Sequence, residues 1–271
     1  MISGWLCSRQ AGALSLLVAI GLSTTIYSSQ AQSERCSLPS EHAGMTFPVA
    51  QVEAGWACRL QLIISHYTTA NKVGPLRTNF HESLFLNLLD RPHVAAALIN
   101  RLDLGLYKSE VRGPGRFWGY DGAGTEGIVQ LVYQDRTARI YYLEGSHDSR
   151  LLPNISGKAV VFLRMNPVKG ADGMEAMDST MVSYTKLDNR FLSGVVSLLR
   201  PFIGGTVTMK WGKGVDTVNR LSDLMRQHPD RVLFEAMDPP AFPDDDVAFV
   251  KQALADLGNS RGVTPSRTVS P

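Results

Sequence analysis

The apolar residues of this chain change their period twice. Val49, Val52, Trp56, Leu60, Ile63, Ile64 and Tyr67 recur at three- and four-residue steps and predict a helix with one apolar face. A strand through Leu60, Leu62, Ile64 and His66 competes over the second half, but the length of the periodic run favours helix. Asn79 followed by Glu82 has the form of a capping box, and Leu84, Phe85, Leu88 and Leu89 make the stripe of the helix it would open. Asp90-Arg91-Pro92 closes that helix and starts another, with Val94, Ala97, Leu98, Arg101 and Leu102 on its face and Gly105 as a natural stop.

From Leu106 the period falls to two. Leu106 to Arg112, Arg116 to Tyr120, Thr125 to Gln134, Ala138 to Ser146, Gly157 to Asn166 and Glu175 to Leu187 read as strands. Between them lie Gly113-Pro114-Gly115, Asp121-Gly122-Ala123-Gly124, Asp135-Arg136-Thr137, a proline-containing loop and the glycine-rich Lys169 to Gly173. Parallel strands need crossovers of about a dozen residues or more, so connections this short specify an antiparallel meander. Helix then returns. Phe191 to Leu199 is apolar, Pro201 and Gly204-Gly205 predict a break or kink, and a longer helix follows to about His228 with Trp211, Val215, Val218, Leu221 and Met225 on one face. Beyond Pro239-Pro240, Asp244-Asp245-Asp246 suits the N-terminus of a final helix bearing Val247, Val250, Leu254 and Leu257, a better reading of three acids than a metal site.

These elements predict a single α+β domain over residues 49–257, an antiparallel meander packed against helices, with an irregular arm at 32–48 and a disordered tail at 258–271. From Leu84 to His228, the helix pair broken at Asp90-Arg91-Pro92, the sheet from Leu106 to Leu187 and the closing helix resemble the helix-grip fold of the START-like superfamily in order and spacing. The resemblance rests on no diagnostic motif, and here an N-terminal helical region is added. It implies a strand ahead of the helix pair, for which Leu60 to His66 is the segment available. It further implies a cavity between the sheet and the last helix that takes apolar ligands.

The first 31 residues change the accounting. Met1 to Ala31 has Arg9 as its one charged residue, followed by the apolar run from Ala11 to Leu22. Spanning a bilayer takes about 20 residues, so this run fits a secretory leader better than an anchor. Ser29-Gln30-Ala31 offers small residues for cleavage after Ala31, which predicts a periplasmic or secreted protein. Cys7 leaves with the leader, and the remaining pair, Cys36 and Cys58, reads as one disulfide worth about 3 kcal/mol. The full chain has 27 basic and 25 acidic residues, a balance too even to claim nucleic acid or an anionic membrane by charge. With 44% hydrophobic and 19% charged residues, it is too apolar for a disordered chain.

The chemistry-bearing residues are sparse. Gly145-Ser146-His147-Asp148-Ser149 holds the residue types of a triad, but adjacent side chains do not converge as a triad must, and the sequence reads better as a turn. The six histidines lack zinc spacing, and the glycine turns do not open helices as phosphate loops do. Phe117, Trp118 and Tyr120 beside Arg112 and Arg116 resemble a stacking platform for nucleic acid, against which the near-neutral charge and the leader weigh. More informative are polar residues inside apolar strands: Tyr142 and Glu144 share a face, and Arg164 shares that of Val160 and Phe162. With Tyr184 and Trp118 they are the candidate ligand-binding residues if their faces line a cavity, and ordinary surface pairs if not.

The leading expectation is an exported, non-catalytic protein that binds a hydrophobic small molecule or lipid between the sheet and the C-terminal helix, with no metal, cofactor or nucleic acid. The alternatives are a cyclase- or hydrolase-like enzyme using Glu144 or His147 in the same cavity, and an envelope interaction protein with a solid core whose Phe191 to Ile203 segment docks a partner or membrane surface.

Overall fold

In the computed structural model, which describes residues 36–148, 154–170, 173–188 and 196–259, a seven-stranded antiparallel sheet carries helices on both faces. The leader expected at 1–31, nearly all of the expected tail and residues 191–195 of the apolar segment lie outside the described residues.

The chain enters through a two-stranded ladder, β1 (Glu41–His42) and β2 (Met45–Thr46), then a 3-10 turn at Val49–Gln51 and helix α1 (Ala54–Ser65). Part of the stretch expected to be an irregular arm is thus an ordered hairpin. Leu38, His42 and Phe47 are buried, the last two against the ring of Phe162 in the sheet beneath. Cys36 and Cys58 are joined across a separation of 22 residues, fastening the hairpin segment to α1.

Leu60 to Ser65 is helical, and the leading strand comes later as β3 (Thr69–Thr78). Helices α2 (Glu82–Asp90) and α3 (Pro92–Arg101) follow, broken where Asp90-Arg91-Pro92 requires. The expected Asn79–Glu82 capping box does not form. His81 is the N-cap, its Nδ1 accepting from the Leu84 N–H at 3.3 Å, while the Glu82 carboxylate takes two hydrogen bonds from Arg136. Strands β4 (Lys108–Gly113), β5 (Arg116–Tyr120), β6 (Thr125–Gln134), β7 (Ala138–His147), β8 (Ile155–Lys169) and β9 (Glu175–Leu187) make the meander. Its spatial order is β3-β9-β8-β7-β6-β5-β4, so the first strand lies beside the last.

Helix α4 (Val196–Gln227) runs unbroken through Pro201, Gly204 and Gly205. Proline and glycine reduce helix stability there, by about 3 and about 1 kcal/mol relative to alanine, without forbidding helical dihedrals. Two shorter helices close the described chain, α5 (Pro229–Met237), which the apolar spacing does not predict, and α6 (Asp244–Asn259). No described helix is long and apolar enough to cross a membrane.

Alternation along the strands builds two cores. On β8, Val160 and Phe162 join Ile140, Val182, Phe47, Leu60 and Ile63 under α1 and the hairpin. Leu163 and Met165 point the other way, joining Met177, Met181, Leu98, Leu221 and Met225 under the remaining helices. A strand buried on both faces reads in sequence as an apolar run, which is why β8 was legible there.

Candidate functional site

The register of the sheet sorts its residues into rows, and the rows on the α4 side differ in kind. Val111, Phe117, Val129, Leu143, Ala159, Thr185 and Thr69 are successive cross-strand partners from β4 to β3. The middle of this row, from Phe117 to Ala159, is apolar yet only partly buried, and among the described residues it belongs to neither packed core. One row toward the strand ends, Gly119, Gly127, Gly145 and Gly157 are partners across four strands. A Cβ on Gly145 would collide with the Glu126 carbonyl, and one on Gly157 would stand 2.7 Å from that of Lys186. Glycine here lets the backbones approach closely and leaves that end of the face without side chains. One row the other way lie Leu131, Tyr141, Val161, Ser183 and Asn71.

Polar groups gather at the glycine end. Lys210 of α4 donates to Asp121 Oδ2 at 2.6 Å and to the Thr125 hydroxyl, and Thr125 Oγ1 is also 2.9 Å from His147 Nδ1. Burial opposes charge on Asp121, but hydrogen bonds from Lys210, from the Thr125 and Ala123 amides and from the Thr125 side chain outweigh it, holding its pKa below the usual value. Beside this cluster a half-open depression of about 370 Å³ is lined by Asn100, Leu106, Lys108, Tyr120 and Gly122. Further in, Arg139 is 3% exposed, pairs with Asp90 at 2.7 Å and donates to the Leu86 carbonyl, so its charge serves the C-terminal turn of α2. Burial raises the pKa of Tyr141 nearby, with Arg139 acting against it.

The five residues expected to line the cavity lie on the opposite face. Tyr142 pairs with Val160, which pairs with Tyr184, and this row belongs with the α1 core. Trp118, Ile128 and Glu144 are successive partners on the same side. Tyr142 donates to Glu144 at 2.8 Å, and burial followed by that hydrogen bond pushes its phenol up to about 12. Tyr184 bonds His42 Nδ1 at 3.2 Å, and Arg164 lies over the Phe47 ring, donating to the Thr46 carbonyl. Arg164 and Tyr184 thus hold the hairpin, while Tyr142, Glu144 and Trp118 sit on the α1 side. Their shared parity was readable, but parity does not say which face α4 covers. The sequence reading weighed His147 and missed Lys210, Thr125 and Asp121, because cross-strand register and a distant helix bring them together.

Among the described residues no group of three or more His, Cys, Asp or Glu is placed to hold a metal ion. Neither a protein-family model nor a curated protein matches the chain. Solved structures match weakly. A conserved protein from Geobacillus kaustophilus is 9% identical, covering 55% of this chain and 93% of that one, with a TM-score of 0.39. An uncharacterised protein from Rhizobium leguminosarum is 14% identical over 57% of this chain and 97% of that one, with a TM-score of 0.35. Apo dicamba monooxygenase is 14% identical over 80% of this chain and 62% of that one, with a TM-score of 0.27.

Proposed function

We propose that this is an exported protein that binds an apolar small molecule or lipid on the α4 face of the sheet, without covalent chemistry. The observation that carries the reading is the row Phe117, Val129, Leu143 and Ala159: four apolar residues in register, partly buried, and outside both cores that the described residues form. Apolar side chains with a few polar groups at one end are the usual lining of a small-molecule site. Support also comes from element order, since β3 supplies the strand ahead of the helix pair that the helix-grip order requires. The Cys36–Cys58 disulfide is compatible with an oxidising compartment and an N-terminal leader.

The test is extraction of the protein purified from its producing cells, with mass spectrometry of what is released, alongside titration with 1-anilinonaphthalene-8-sulfonate. A defined co-purifying molecule or saturable dye binding is expected. Protein that is consistently empty and binds no dye would sink the proposal.

A second reading, an ester-cleaving or cyclase-like enzyme, is favoured by one contact. The Thr125 hydroxyl lies between His147 Nδ1 and the Lys210 ammonium, a hydroxyl beside a base and a cation. Glu144 drops out of this version because it lies on the other face. Turnover of aryl esters that disappears in both Thr125→Val and His147→Gln would support it, and turnover unchanged in both would eliminate it.

A further inference from the structure

We propose that the ligand of the α4 face is an oxygenated apolar molecule, whose carbonyl-type oxygens are held by unpaired donors at the β3–β9 edge. This rests on the binding reading above and specifies its chemistry.

The apolar row does not stay apolar across the sheet. Past Ala159 it ends in Thr185 and Thr69, and the next row ends in Ser183 and Asn71. Thr69, Ser183 and the nearby Ser179 are 7%, 4% and 2% exposed. Their hydroxyls, the Asn71 Nδ2 and the Trp211 indole Nε1 have no hydrogen-bond partner among the described residues. Trp211, on α4, packs against the core cluster to which Val73 of β3 and Met181 of β9 also belong.

Folds rarely leave buried polar groups unpaired, because each loses its bonds to water without replacement. Here four such groups lie along the paired strands β3 and β9, with Asn71 and Ser183 direct partners, and a fifth is on α4, the helix that packs against β3. The indole N–H and the amide NH₂ only donate, and the hydroxyls, which both donate and accept, can add donors to theirs. What complements them is an acceptor: a ketone, quinone, ester or similar oxygen on an otherwise apolar body. A plain hydrocarbon chain would lie on Phe117, Val129 and Leu143 and leave the donors unpaired, so the edge selects against it. Sites with buried polar groups discriminate strongly against analogues that lack the matching atom.

Two probes of nearly the same size and charge isolate this effect, anthraquinone-2-sulfonate and anthracene-2-sulfonate, which differ in two carbonyl oxygens. Calorimetric titration of the purified full chain is expected to show the quinone binding at least about tenfold tighter. Ser183→Ala and Trp211→Phe should each shrink that ratio toward one, with anthracene-2-sulfonate affinity and the circular dichroism spectrum unchanged. Equal affinities for the two probes, or a ratio untouched by both substitutions, would overturn the donor-edge inference and leave the binding reading standing. If neither probe nor 1-anilinonaphthalene-8-sulfonate binds, the binding reading falls and takes this inference with it.

Discussion

Lys210 Nζ stands 2.6 Å from Asp121 Oδ2, fastening α4 to the β5–β6 turn, while Asn219 and Ser222 on the same helix hold the backbone of Asn79 after β3. The helix is thus tied beside β3, at one end of the strand order, and to the β5–β6 turn, near the other. Between the ties lie Gly212 and Gly214, where an added Cβ would meet nothing within 4 Å. Removing the ammonium with Lys210→Met should raise amide exchange in residues 208–216. Global stability should fall by less than about 1 kcal/mol, because the pair is partly solvated. Exchange there that matches the parent chain would show that packing alone holds the helix.

The two kinds of glycine predict opposite outcomes. Gly214→Ala adds a methyl into open space in a helix and should stabilise by up to about 1 kcal/mol. Gly145→Ala drives a methyl into the neighbouring strand and should destabilise by about 1–3 kcal/mol. Denaturant midpoints of the two variants decide the matter, and a midpoint for Gly145→Ala at or above that of the parent chain would contradict the close approach at β6–β7.

His42 makes the fold acid-sensitive. Its ring stacks on Phe162 at 3.9 Å, and burial lowers its pKa below 6.5, with a hydrogen bond donated by the ring to the Pro39 carbonyl acting against the shift. The unfolded chain takes up the proton first as pH falls. The contribution to stability is therefore complete above pH 6.5 and is lost between that value and the lower folded one. Urea unfolding at a series of pH values should show this decline, and His42→Phe should flatten it. A slope that persists in the variant would assign the effect to another group.

Reducing the Cys36–Cys58 bridge should cost about 3 kcal/mol, measured as a shift in the unfolding midpoint with and without reductant. An unchanged midpoint would mean that the hairpin and α1 hold together without it.

Leu143 and Glu144 are neighbours on β7 with opposite faces. Leu143→Arg should abolish dye and ligand binding, whereas Glu144→Gln should leave both unchanged. The reverse result would return the site to the α1 side.

Where local chemistry decided the structure, the sequence was an adequate guide. Arg116 to Tyr120, Thr125 to Gln134 and Glu175 to Leu187 match β5, β6 and β9 end for end, because alternation and turn residues mark them unambiguously. It failed where partners are remote. β3 carries Gly74-Pro75 and a register shift between Val73 and Leu76, and only Thr69, Val73 and Thr78 along it are buried, so no apolar alternation announces an edge strand. His81 caps α2 although histidine is not a preferred cap, while the backbone of Asn79 is occupied by α4. At the candidate site, the apolar row was visible one strand at a time. The donors at its end appear only when β3 is laid beside β9.

That last adjacency sets when the site can exist. β3 is the first strand of the sheet to be synthesised and β9 the last, so the edge joining Asn71 to Ser183 cannot close until the whole meander has emerged. Contacts between such distant segments of sequence are slow to form. Ligand capture would therefore report a finished molecule, and a chain arrested before β9 would present an incomplete cradle whatever helices it had already formed.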